Sequence, residues 1–330
     1  MKRVVTHELG DLANLVLEAG AAPEPVEGEI PVAMRASVVS YVNAVLAGGQ
    51  YQVPPPVPFV PGTTGVGVLL ADSPDGRLSR GERVATTRLS GGCWTTHAQF
   101  APALLVPVPD AVTDVLAAAV LEAWCTMHFA FTRRRPLSGT EVVLVLGASG
   151  AIGSAAVDVA RASGARVLAV GSRSERLAPA QRLGAEPVVV GPGADETLTQ
   201  AVRRLAPGGV DVVVDPVGGD LATESLKLLA PWGELLVLGF ASGTIPRLGA
   251  NRVLIGNRRI TGVDLGFAIT RDLVEGQAVM SEVLERVAAG DYGREVDPDT
   301  CTLDEVPDRL RAVLAREVSG QVVVMIETDA

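Results

Sequence analysis

The chain has 330 residues, of which 48% are hydrophobic and only 4% aromatic, with 36 Gly and 22 Pro; a chain of this length divides by default into two domains. Its formal net charge is −10 and its only lysines are Lys2 and Lys227, so it lacks the basic surface with which a duplex binder displaces phosphate counterions. Cys93, Cys125 and Cys301 are too few and too scattered for a disulfide framework, the N-terminal residues carry no apolar leader, and the longest apolar stretch, Val115 to Phe131, is short for a membrane span and broken by Glu122. The expectation is a cytoplasmic globular protein that acts on a small-molecule substrate, with neither nucleic acid nor membrane as partner.

In chain order, short apolar runs come first: Val4-Val5, Leu15-Val16-Leu17, Pro31-Val32-Ala33-Met34, Gly65-Val66-Gly67-Val68 and Arg83-Val84-Ala85. Pro54-Pro55-Pro56 and Asp75-Gly76 punctuate them, a spacing that predicts an all-β, barrel-like domain. A helix is predicted from Ala111 to Thr132, after Pro109-Asp110. From Glu141 the pattern changes. The run Val142 to Leu146 is a buried strand, followed by a glycine turn and a helix from about Ile152 to Ser163. A strand from Arg166 to Val170, a helix from Arg176 to Leu183, and strands at Val188–Val190, Val212–Val214 and Leu235–Leu238 continue the alternation. Strands alternating with helices predict an α/β fold with a doubly wound parallel sheet, the Rossmann arrangement. A helix from Leu273 to Ala288 and a strand from Gln321 to Ile326 close the chain.

The glycine turn carries the chemistry. In Leu146-Gly147-Ala148-Ser149-Gly150-Ala151-Ile152-Gly153, the three positions of the G-x-G-x-x-G frame are Ala148, Gly150 and Gly153. Gly150 lets backbone approach a pyrophosphate, Gly153 lets the helix pack close to the sheet, and the helix N-terminus offers free N–H groups to the phosphates. The residues Ser149, Gly150, Ala151, Ile152 and Gly153 are therefore the phosphate-binding candidates. About twenty residues on, NAD-preferring proteins carry an acid for the adenine ribose. Here the chain reads Gly171-Ser172-Arg173-Ser174 with Arg176 behind. A hydroxyl and two guanidiniums suit a 2′-phosphate, which points to NADPH as cofactor.

With these motifs the sequence resembles the medium-chain dehydrogenase/reductase superfamily, specifically its zinc-independent quinone oxidoreductase and enoyl reductase branch. Further marks are Pro58-Phe59-Val60-Pro61-Gly62, Gly81-Glu82-Arg83-Val84, Leu183-Gly184-Ala185, Val214-Asp215-Pro216-Val217-Gly218-Gly219, Leu229-Ala230-Pro231-Trp232-Gly233 and Gly239-Phe240-Ala241-Ser242-Gly243. The resemblance implies a GroES-like β-barrel domain at 1–118 and 268–330, a Rossmann domain at 119–267, and a cleft between them where nicotinamide meets substrate. It also implies a homodimer joined through Rossmann edge strands, for which Arg259 to Val263 is the candidate. It adds Val217, Gly239, Phe240 and Leu265 to the cofactor side, and Thr126 to the segment that approaches the nicotinamide.

Where zinc relatives carry a His-Glu pair after the glycine, this chain has Thr63-Thr64. Cys93-x3-His97 and Cys125-x2-His128 find no third ligand, so no metal site is expected. Departures from the branch are Ser40-Tyr41-Val42-Asn43 for Asn-x-x-Asp, Val45 and Gly191 where tyrosines often stand, and Gln321 for a lysine; Tyr51 is kept. The residues proposed to polarise an acceptor or relay a proton are Tyr51, Thr126, Ser40 and Asn43, with His128 in reserve. Asp215, at a strand end, is expected to fix a turn. The activity expected is hydride transfer to an electron-poor C=C bond of an enone or enoyl group. The low lysine and high arginine content suggests a GC-rich bacterial source, where such enzymes serve secondary metabolism. NADPH:quinone oxidoreduction and non-catalytic NADPH binding are the alternatives.

Overall fold

The alternating apolar residues of the first hundred or so positions form short strands: β1 (Lys2–Thr6), β2 (Leu15–Ala19), β3 (Ile30–Val39), β4 (Thr64–Leu69), β5 (Arg83–Thr87), β6 (His97–Phe100) and β7 (Val106–Pro107). The aliphatic runs after them form β8 (Val142–Val145), β9 (Arg166–Gly171), β10 (Glu186–Val189), β11 (Val210–Asp215), β12 (Leu229–Val237) and β13 (Arg259–Gly262). β14 (Asp299–Cys301) and β15 (Val322–Met325) complete the set in this computed structural model, which describes residues 1–327.

Two units result. The first comprises Met1–Glu122, Gly266–Gly290 and the chain from Val296 onward; the second comprises Ala123–Leu265 with the short run Asp291–Glu295. In the first, a mixed sheet runs β14-β15-β3-β4-β5-β7, with β6 also on β3 and β1-β2 as a separate hairpin. All its pairings are antiparallel except β14 with β15. Ile30, Met34, Trp94, Phe100 and Leu105 fill its core together with Val306, Leu310, Val322 and Val324 from the chain's far end. Two helices carry residues of interest in this unit: α1 (Tyr41–Ala47), and α2 (Asp114–Phe129), inside which the units divide. The helical run Asp114–Arg134 is apolar and long enough to cross a membrane, but 72% of its most apolar window is buried within the protein.

The second unit is a six-stranded, wholly parallel sheet in the order β10-β9-β8-β11-β12-β13. Numbered from its first strand this is 3-2-1-4-5-6, the doubly wound order, and its switch point lies between β8 and β11. β8 and β11 are buried along almost their whole length because helices cover both faces of such a sheet. Leu144, Leu146, Leu168, Val170, Val213 and Leu235 form the core on one side. Helix α3 (Ala151–Ala162) comes directly after the glycine turn, one residue ahead of its expected start. The helix Leu273–Ala288, in the first unit, has the bounds expected from its sequence, and its N-cap Asp272 accepts from the N–H groups of Val274 and Glu275.

A buried carboxylate is one of the contacts that tie the return run Asp291–Glu295 to the parallel-sheet unit, beside the His128–Tyr292 and Arg182–Glu295 pairs. Asp158 on α3 is 3% exposed and accepts from the Trp124 indole N–H at 2.7 Å and from the Gly293 N–H at 2.7 Å. Burial pushes its carboxyl above the usual range, and the two hydrogen bonds oppose that rise. Asp158→Ala leaves two buried donors without an acceptor and is expected to cost roughly 2–4 kcal/mol in urea unfolding; a loss under about 1 kcal/mol would mean that the run is held some other way.

Candidate functional site

The strand, turn and helix predicted for phosphate binding are present. β8 delivers the chain to Gly147, whose φ of +62° suits glycine. Gly150 then caps α3 from extended backbone (φ −87°, ψ 171°) with no side-chain capping bond. A Cβ on Gly153 would collide with the Gly147 carbonyl oxygen and lie 2.7 Å from the Ala148 Cα. Only glycine lets α3 approach this closely. At Gly150, by contrast, the nearest atom to an added Cβ is the Gly147 oxygen at 3.5 Å, so that face is open. Ser149, Gly150, Ala151 and Ile152 are exposed or half-buried. The first-turn N–H groups of a 12-residue helix, unpaired within the helix and uncapped by side chains, form an anion site that fits a pyrophosphate.

At the end of neighbouring β9, Ser172 and Arg173 are exposed and Arg176 is half-buried in the 3-10 turn Ser174–Leu177. An added Cβ on Gly191, just beyond β10, would come within 4.0 Å of the Ser172 Cβ. The residue that replaces a tyrosine thus borders the Ser172 position, leaving room beside it.

β11 ends at Asp215, whose Oδ1 accepts from the N–H groups of Val217 (2.9 Å) and Gly218 (2.8 Å). The carboxyl fixes this turn, as its place at the strand end led us to expect. Its Oδ2 is buried without a hydrogen-bond partner, and burial raises its pKa. The Leu238 N–H donates to the Asp215 carbonyl, and the Ala241 and Ser242 N–H groups donate to the Pro216 and Val217 carbonyls. These bonds bring Gly239 and the half-exposed Phe240 beside Val217, whose own side chain lies 3.0 Å from where a Gly147 Cβ would sit. The turns after β8 and β11 therefore adjoin at the switch point, where open α/β sheets bind ligands. Leu265, 8% exposed, opens the helix Leu265–Arg271 shortly after β13.

In the first unit, two of the four proposed catalytic residues, Ser40 and Asn43, belong to one polar cluster that is buried except for the half-buried Glu122. The Asn43 carboxamide oxygen accepts from the Gly62 N–H (2.8 Å) and the Thr63 N–H (3.1 Å), and its Nδ2 donates to Ser40 Oγ (2.8 Å) and Thr63 Oγ1 (3.3 Å). Thr63 Oγ1 donates to Glu122 Oε2 at 2.7 Å. Burial is the largest influence on Glu122 and raises its pKa against the Thr63 hydroxyl. In the sequence Glu122 stands out only as a break in an apolar run; a lone carboxylate inside such a run was the available signal. Tyr51 lies half-buried in the bend beyond α1, and Thr126 one turn further along α2 than Glu122.

Among the described residues no group of three or more His, Cys, Asp or Glu side chains could hold a metal ion. The cluster offers two hydroxyls, one amide and a single carboxyl, a donor set that does not fit zinc. Both Cys93 and Cys125 are buried, and burial pushes the Cys93 thiol up to about 12 and the Cys125 thiol higher still. His128 is 4% exposed, with Nδ1 3.1 Å from the hydroxyl of Tyr292 in the return run.

A family model described as zinc-binding dehydrogenase matches residues 151–288. The quinone oxidoreductase-like protein 2 homolog of Nematostella vectensis is 30% identical over 327 residues, with 98% of this chain and 88% of that one covered. The mycocerosic acid synthase-like polyketide synthase of Mycobacterium tuberculosis is 32% identical over 180 residues, which span 54% of this chain and 8% of the synthase. Among solved structures, a mycobacterial protein complexed with NADPH superposes with a TM-score of 0.88 at 27% identity, covering 98% of this chain and 99% of that one.

Gly153→Val is expected to abolish dinucleotide binding while the parallel sheet survives, because the branched side chain drives α3 off the turn. Unchanged affinity in a fluorescence titration would show that the phosphates bind elsewhere.

Proposed function

The chain belongs to the medium-chain dehydrogenase/reductase superfamily, in its quinone oxidoreductase branch, and from that premise we propose that it is an NADPH-dependent reductase of electron-poor C=C bonds that works without zinc. The observation that carries the cofactor half is the uncapped N-terminus of α3 over the open face at Gly150. Ser172, Arg173 and Arg176 stand where an acid would repel a 2′-phosphate, which favours NADPH over NADH. A mycobacterial neighbour with NADPH bound supports the same choice.

A bound reduced nicotinamide supplies the hydride; position, polarity and exclusion of water fall to the protein. Reducing a conjugated C=C requires stabilisation of a developing enolate and then one proton. Ser40 and Asn43 offer polar hydrogens, and Tyr51 and Thr126 offer further hydroxyls. The likeness of 54% of the chain to a segment of a polyketide synthase favours an enoyl-type acceptor and a role in secondary metabolism. The second reading, NADPH:quinone oxidoreduction, draws on the name of the Nematostella relative.

A homodimer fits the surface of the parallel-sheet unit. β13 is an edge strand of its sheet, and Ile260 on it, Leu254 and Ile255 just before it and Trp232 on the neighbouring β12 are exposed. Such an edge invites pairing with a second copy.

Arg173→Ala is expected to weaken NADPH binding by roughly 1.5–3 kcal/mol, the worth of a hydrogen bond to a charged group, and to leave NADH unchanged. Equal affinity of the intact protein for both cofactors would contradict the assignment. The activity itself is tested by NADPH consumption after exhaustive chelation, against enones, enoyl thioesters and quinones. Enone or enoyl turnover is the expected result, and turnover of quinones alone would leave the second reading.

A further inference from the structure

The parallel-sheet unit has a second concavity, away from the glycine turn. It lies where the chain enters β11, β12 and β13, whereas the turns that adjoin at the switch point follow β8 and β11. The two places are therefore at opposite ends of the strands, roughly 15–20 Å apart for the six residues of β11. The cavity has a volume of about 210 Å³, below the roughly 300–1,000 Å³ of sites for drug-sized ligands. Backbone draws its walls together. Gly209, at φ +90°, has no room for a Cβ, which would lie 2.8 Å from both the Leu228 carbonyl oxygen and the Ala230 nitrogen. The Trp232 N–H donates to the Gly256 carbonyl at 2.7 Å, and Arg258 Nη2 donates to the Leu229 carbonyl at 2.6 Å. Both bonds fasten the approach to β13 onto the start of β12.

The charge around this cavity runs against that of the chain. The net charge is −10 and there are two lysines, yet Arg203, Lys227 and Arg258 all line the cavity and, among the described residues, no Asp or Glu does. Acids close to them in sequence are engaged elsewhere. Glu196 pairs with Arg204, Asp211 accepts from the Val142 N–H, and Glu224 accepts from the Thr199 hydroxyl. Arg258 is half-buried; a neutral carbonyl accepts from its Nη2, and its Nε is buried with no acceptor. Burial, and then the like charge of Arg252, holds its pKa below the usual range. A guanidinium partly withdrawn from water beside two further cations costs free energy that a bound anion offsets. We propose that this cavity is a second anion site, which takes the phosphate group of a small phosphorylated molecule. Three cations around one small space favour a dianion over a carboxylate. Val202, Leu228 and Leu229 are buried apolar residues of the lining and suit a short carbon skeleton. A dinucleotide is too large for the space, so this site is separate from that of the cofactor.

The test is a titration of the full chain with glycerol 3-phosphate, followed by phosphorus NMR in a buffer free of other oxyanions, at a slightly alkaline pH where the ester is a dianion. Saturable binding is expected. Arg258→Gln should weaken it by about tenfold or more, the worth of a hydrogen bond to a charged group. Lys227→Gln and Arg203→Gln should each weaken it by about two- to fivefold, because exposed charges are screened. Those two side chains are exposed, so their variants keep the test decisive if Arg258→Gln, which also loses the bond to Leu229, fails to fold. Lactate, which offers a carboxylate on a skeleton of similar length, should bind at least about tenfold more weakly than the ester. NADPH affinity should not change in any of the three variants. Absence of ester binding overturns the proposal. So does ester binding that survives Lys227→Gln and Arg203→Gln unchanged, or that Gly153→Val abolishes, since the ester then occupies the glycine turn. Inorganic phosphate that binds as tightly as the ester overturns the claim for a carbon skeleton and leaves a site for the free ion.

Discussion

The parallel-sheet unit depends on how closely α3 can approach the turn that precedes it. Gly153 stands against the Gly147 carbonyl with no room for a β-carbon. That contact sets the direction in which α3 leaves β8, the exposure of its first N–H groups, and the open face at Gly150. Asp215 then shapes the second turn through its bonds to Val217 and Gly218, and the Val217 side chain of that turn borders Gly147 of the first. The candidate phosphate site is therefore built almost wholly from backbone, which tolerates change in the surrounding side chains.

The first unit solves a different problem. Its cluster is made of side chains, and every polar atom taken out of water there needs a partner. Asn43 meets this demand for two backbone N–H groups and two hydroxyls at once. Removing any one member leaves its partners without a hydrogen bond.

The range of each interaction decided how much of this was legible in the sequence. The strand Val142 to Leu146, the glycine turn and the helix after it are local patterns, and the structure reproduces them to within a residue or two. Leu273–Ala288 was legible because its cap, Asp272, is adjacent to it. Arg176 to Leu183 was expected as one helix, yet Pro179 sits early in it, and the run splits into a 3-10 turn and the short helix Ala178–Arg182. Ser40 and Asn43 were marked by resemblance, but Glu122 of the same cluster comes from a distant helix and no local period links them. Thr63 was marked only as standing where zinc relatives carry a histidine, and it donates to that acid. Asp158 was hidden for the same reason: its partners are Trp124 and Gly293, far away along the chain on either side.

Central to this picture is the movement of hydride from NADPH to carbon. Reduction of an enone with NADPH deuterated at the transferring C4 position, with mass spectrometry and NMR of the product, tests it directly. The predicted result is one deuterium, located at the β-carbon. Loss of the label to water, or oxidation of NADPH with no saturated product from any enone or enoyl thioester, would contradict it.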